Sequence, residues 1–91
     1  MNTDKLLNYA IPAQRKFKKA YENEELGLVS ITDGYIHVTV EAFKEISDNL
    51  HIEFFTKKMS DGWIHAEMLF NGVTLLTCDS RKNMKKAGLI K

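Results

Sequence analysis

Two stretches of the chain alternate apolar and polar residues with a period of two, and a dipeptide that demands a tight reversal interrupts each. In the first, Val29-Ser30-Ile31-Thr32 and Tyr35-Ile36-His37-Val38 flank Asp33-Gly34; in the second, Ala66-Glu67-Met68-Leu69-Phe70 and Val73-Thr74-Leu75-Leu76-Thr77 flank Asn71-Gly72. Asp-Gly and Asn-Gly suit type I′ turns, whose positive φ angles match the twist of paired strands, so each dipeptide implies a hairpin and its register. The first turn opposes Thr32 with Tyr35, Ile31 with Ile36, Ser30 with His37 and Val29 with Val38, placing Val29, Ile31, Ile36 and Val38 on one face, expected to be core. The second opposes Phe70 with Val73, Met68 with Leu75 and Ala66 with Thr77, and on the reverse face Leu69 with Thr74, Glu67 with Leu76 and His65 with Cys78. A third strand, Leu50 to Lys57, precedes this hairpin. Setting Lys57 against Trp63 across Lys58-Met59-Ser60-Asp61-Gly62 lays Leu50, Ile52 and Phe54 beside Phe70, Met68 and Ala66.

Elsewhere the period lengthens to that of a helix. From Thr3 to Tyr21, Leu6, Ala10, Ala13, Phe17, Ala20 and Tyr21 recur at spacings of three and four, with Pro12 inside the pattern as a kink or a restart. Thr3 is a candidate cap, and Tyr9, Phe17 and Tyr21 are expected to pack along the helix's core side or its border. Val40 to Ile46 reads as two helical turns capped by Thr39 and ending at Ser47-Asp48-Asn49, and Arg81 to Lys86 as a short basic helix capped by Asp79-Ser80 and stopped at Gly88. The expected architecture is α+β, one small domain over 1-91: N-terminal helix, β-hairpin, short helix, three-stranded antiparallel meander and short C-terminal basic helix.

The reverse face of the meander is mixed. It carries His51, Glu53, Phe55, Lys57, Trp63, His65, Glu67, Leu69, Thr74, Leu76 and Cys78. A helix or the other hairpin covering it is one reading. The other is an interaction surface with Phe55, Trp63, His65 and Leu76 as protein-binding residues, for a partner or for a second copy in a homodimer.

Ninety-one residues suffice for one small core, and 44% hydrophobic and 27% charged residues are ordinary globular values. A single cysteine excludes an internal disulfide. No apolar run approaches membrane-spanning length and the first residues lack a signal-peptide core, so a cytoplasmic location with no membrane association is expected. The net charge of +1 conceals two basic blocks, Arg15, Lys16, Lys18, Lys19 and Arg81, Lys82, Lys85, Lys86, the first followed at once by Glu22, Glu24 and Glu25. Solvated helix faces account for such blocks; a phosphate footprint using Arg15, Lys16, Lys19, Arg81, Lys82 and Lys85 is the nucleic-acid alternative.

The run from Asp33 through Val40-Glu41-Ala42-Phe43, followed by strands ending at Phe70-Asn71-Gly72-Val73, resembles small uncharacterised phage and prophage proteins of Gram-positive bacteria over residues 27-78. The resemblance implies a class of action, binding a host or phage protein without catalysis, as a modulator or inhibitor; it transfers no functional residue.

Catalytic chemistry finds little footing. Cys78 beside His65 has the elements of a nucleophile and base, but without a third group to orient the imidazole or a glycine-rich oxyanion turn. Glu53, Glu67, His65 and His51 match no established ligand spacing, and there is no phosphate loop, dinucleotide fingerprint or nucleophile elbow. Gly27, Gly34, Gly62, Gly72 and Gly88 read as turns or caps. The expectation is a non-enzymatic protein with no cofactor and no metal, acting on a protein partner.

Overall fold

A computed structural model describes residues 3–23, 27–32 and 34–91. The elements follow the expected order: α1 (Thr3–Glu22), β1 (Leu28–Thr32), β2 (Tyr35–Val38), α2 (Val40–Leu50), β3 (Phe55–Lys58), β4 (Ile64–Phe70), β5 (Val73–Asp79) and α3 (Arg81–Lys86). The strands form one sheet in the order β1-β2-β5-β4-β3. The two hairpin units are therefore joined through β2 and β5, which run parallel with Tyr35 beside Thr74, Ile36 beside Leu75 and His37 beside Leu76.

The second hairpin has the expected register at every pair from His65–Cys78 to Phe70–Val73. Its turn places Asn71 at φ 51° and Gly72 at φ 78°, the left-handed pair that an Asn-Gly loop supplies. The first hairpin keeps Thr32–Tyr35, Ile31–Ile36 and Ser30–His37, but a bulge at Val29 hands the partnership of Val38 to Leu28. Val38 is buried and Ile36 packs against the core, as expected of that face, whereas Ile31 and the bulged Val29 sit exposed on the edge strand, which corrects the assignment of these two to the core. Asp33 lies outside the described residues.

The third strand is shorter than expected and slips by two residues. Phe55 opposes Glu67 and Lys57 opposes His65, because the loop closes on three residues, Ser60-Asp61-Gly62, with Met59 donating its N–H to the Trp63 carbonyl at 2.7 Å and Gly62 at φ 90°. A slip of two preserves the faces. Leu50 ends α2 instead of entering the strand, and Ile52 and Phe54 line the core from a loop.

One side of the sheet holds the core. Val38, Ile64, Ala66, Met68 and Leu75 meet Val40 and Phe43 of α2, Met84 of α3 and Leu89 beyond it. Phe43 is fully buried and meets Phe54 edge-on at 5.4 Å. Burial of such a ring contributes about 2–3 kcal/mol. Thr39 caps α2, its hydroxyl accepting from the Ala42 N–H at 3.2 Å; His51 closes it in the left-handed conformation, its N–H donating to the Ser47 carbonyl.

Gly27 has a stricter role than turn or cap. At φ 68° it accepts the Thr39 N–H at 2.8 Å, and a Cβ there would lie 2.6 Å from Thr39 Oγ1 and 2.7 Å from the Ala42 Cβ. Only glycine lets the approach to β1 lie on the start of α2.

The helix α1 departs most from expectation. It runs unbroken through Pro12, and none of its residues is buried. Tyr9, Phe17 and Tyr21 are exposed; Phe17 and Tyr21 stack on each other at 5.7 Å instead of packing into a core. Thr3, the candidate cap, is itself helical, and residues 1–2 lie outside the described residues.

Candidate interaction surface

Alternation along the strands assigns every side chain of the sheet to the core side or to the reverse side. On the reverse side stand Tyr35 and His37 of β2, Thr74, Leu76 and Cys78 of β5, His65, Glu67 and Leu69 of β4, and Phe55 and Lys57 of β3, with Trp63 continuing the β4 row. None of them is buried. α2 and α3 both belong to the core side, and the first hairpin extends the sheet sideways instead of covering it.

Phe55, Trp63, His65 and Leu76 thus share one face. They form a row more than a cluster. Phe55 opposes Glu67 and Trp63 opposes Met59, so the two aromatics stand about 13 Å apart along β4. His65 lies between them, flanked by Lys57 and Cys78, and Leu76 sits one strand over beside Glu67 and His37. Phe55 is 58% exposed and Trp63 45%, whereas His65 and Leu76 are half-buried. The Trp63 backbone is fixed by its N–H donating to Asp61 Oδ1 at 2.9 Å.

Leu69, assigned to this face by the hairpin register but not among the four protein-binding residues, is 66% exposed and extends the row past Glu67. Two further residues join the face, Tyr35 and His37, through the parallel pairing of β2 with β5, for which the sequence carries no local signal. His51 and Glu53 leave it: His51 is the C-cap of α2, and Phe55 occupies the place opposite Glu67 expected for Glu53.

The polar groups of the face are coupled. His65 Nε2 lies 2.9 Å from Glu67 Oε1. Desolvation, and secondarily the proximity of His65, lowers the pKa of His37, disfavouring its protonated form. Burial pushes the Cys78 thiol up, and Asp79 and Asp61 add to the shift, the reverse of what an activated nucleophile needs. Among the described residues no group of three or more His, Cys, Asp or Glu side chains is arranged to hold a metal ion.

The sheet's two edges discourage strand addition. β3 places Lys57 and Lys58 on one edge, and the Val29 bulge distorts the other. The basic blocks stand on separate helices, Arg15, Lys16 and Lys19 on α1 alongside β1, and Arg81, Lys82 and Lys85 on α3 against β5. No described helix is long and apolar enough to cross a membrane. No protein-family model, curated protein or solved structure matches the chain.

Proposed function

We propose that this protein is a non-enzymatic binding module whose open sheet face seats a protein partner, acting as a modulator or inhibitor by occupying a surface, within a reducing cytoplasm. The observation that carries this reading is a sheet face without a buried side chain on which Phe55, Trp63 and Leu69 stand exposed beside Leu76. Large apolar side chains standing exposed on one rigid sheet, with the half-buried His65 and Glu67 between them, offer a partner aromatic anchors and polar groups that fix orientation.

The test is capture of a single protein species from cytoplasmic extract, in stoichiometric amount, by wild type and by Trp63→Ala and Phe55→Ala. Each truncation is expected to weaken capture by ~2 kcal/mol, about thirtyfold, while the melting transition stays in place. Undiminished capture, or a truncated protein that no longer folds, overturns the reading. Retention of nucleic acid that falls steeply with salt and vanishes on charge reversal of Lys16, Lys19, Lys82 and Lys85 would replace it with the nucleic-acid alternative.

A further inference from the structure

We propose that α1 pairs antiparallel with the α1 of a second copy of this chain. The helix has 20 residues and buries none of them, although its apolar positions other than Ile11 gather on one side. Helices in proteins draw most of their stability from a buried face, and the contact of α1 with β1 buries none of its residues. The apolar side of α1 is thus open to another molecule.

The pattern identifies that molecule as a helix. Leu6, Ala10, Ala13, Phe17 and Ala20 alternate spacings of four and three, the seam of a two-helix coil. Alanine at Ala10, Ala13 and Ala20 lets two backbones approach closely but offers little area to acyl chains, which argues against a bilayer as occupant. Pro12 and Asn8, whose carbonyl loses its partner at Pro12, both belong to the polar side, where water satisfies it.

Charge identifies the helix as a second copy. The positions flanking the seam are Leu7, Tyr9, Gln14, Lys16 and Tyr21, with a single charge among them. A surface built for an acidic helix would set its cations along the seam, whereas Arg15, Lys18 and Lys19 stand away from it. An antiparallel arrangement seats Leu6 against Phe17 of the second copy and Ala10 against its Ala13. It also brings the Asp4 end of one helix beside the basic Arg15–Lys19 end of the other and opposes the two helix dipoles. Lys16 then lies over the Tyr9 ring of the second copy. Leu6, Leu7, Tyr9, Phe17 and Tyr21 are each exposed, together on the order of 600 Å² per chain, so the pair has at most about 1,200 Å² of this surface to bury, the lower bound for a stable interface.

Sedimentation equilibrium and circular dichroism of the full chain over a dilution series provide the test. Wild type is expected to be a dimer whose helical signal falls as it dissociates. Ala13→Glu keeps a good helix former but puts a carboxylate in the seam, and should raise the dimer dissociation constant by at least about a hundredfold. Arg15→Gln on the outer side, and Trp63→Ala on the sheet, should leave it unchanged. Trp63 fluorescence reports in each seam variant that the sheet remains folded. A spin label at Thr3→Cys, in a Cys78→Ser background, should lie about 25 Å from its twin in the antiparallel pair, and within about 10 Å in a parallel one. A protein monomeric at every concentration, a dimer indifferent to Ala13→Glu, or a short label distance would overturn the proposal. So would a monomer that binds phosphatidylglycerol vesicles and loses them on Ala13→Glu. The sheet-face reading stands or falls separately, on Trp63 and Phe55.

Discussion

α1 and α2 are both amphipathic helices, yet they end in opposite situations. α2 buries Val40, Phe43 and Ser47 and is closed at both ends by the chain's own hydrogen bonds, whereas α1 is nearly twice as long and buries nothing. Periodicity records that a helix has an apolar side; it does not record whose surface that side meets. The difference lies in what neighbours each helix. α2 is tied at Thr39 to Gly27 and lies over β5, while the main contact of α1 is with β1, an edge strand whose own Ile31 and Val29 are exposed.

The widest separation between the two helices should appear on truncating one phenylalanine in each. Phe43→Ala should cost the sheet core about 3–5 kcal/mol, because it empties a fully enclosed site. Phe17→Ala should leave the unfolding of that core unchanged in denaturant melts of the monomer. Equal losses would show that α1 is part of the same cooperative core. A smaller effect is expected at Gly27→Ala, of about 1–3 kcal/mol. The new methyl would meet Thr39 Oγ1 and the Ala42 Cβ at less than 3.0 Å on a backbone with φ 68°, so the start of α2 would have to shift. Amide exchange should then rise in α2 and not in α1.

The smallest effect concerns α3, which belongs with α2 in being held by its own chain. Asp79 accepts from Asn83 Nδ2 at 2.8 Å and from the Ser80 N–H at 2.7 Å, and these bonds, the Asn83 one foremost, hold its carboxyl below the usual carboxylate range. A folded-state pKa below the unfolded one means stability that is present above the ordinary carboxyl range and lost as pH falls through it. Acidification should accordingly loosen the amides of α3, by a modest amount because the group is solvent-exposed, and Asp79→Asn should remove that dependence. Exchange in α3 that ignores pH would break the assignment.

What the sequence makes legible tracks how local the governing interaction is. The register of β4 and β5 follows from Asn71-Gly72 alone, and the caps Thr39 and Ser80 each act within three residues. The slip of β3 arose from reading a five-residue loop where a three-residue loop with Gly62 in a left-handed conformation closes the hairpin. The bulge at Val29 has no turn residue to announce it. Beyond local range little was legible: the parallel β2–β5 contact, which brings Tyr35 and His37 to the face of Leu76, depends on segments far apart in sequence. The candidate face was recognised through its β4 and β5 members, whose alternation is fixed by one turn, and incompletely elsewhere for the same reason.

That parallel join also bears on the order in which the chain assembles. β3, β4 and β5 are consecutive hairpins and close with short loops, whereas pairing β2 with β5 brings together residues about forty positions apart, at the cost of a long loop closure. Loop closure alone therefore favours a meander that forms first and presents β5 as an unpaired edge, onto which the first hairpin is expected to dock late, with α2 carried between them. In that order Ile36 and Leu75 would be open to other strands until docking, the interval in which a newly made chain is most exposed to aggregation.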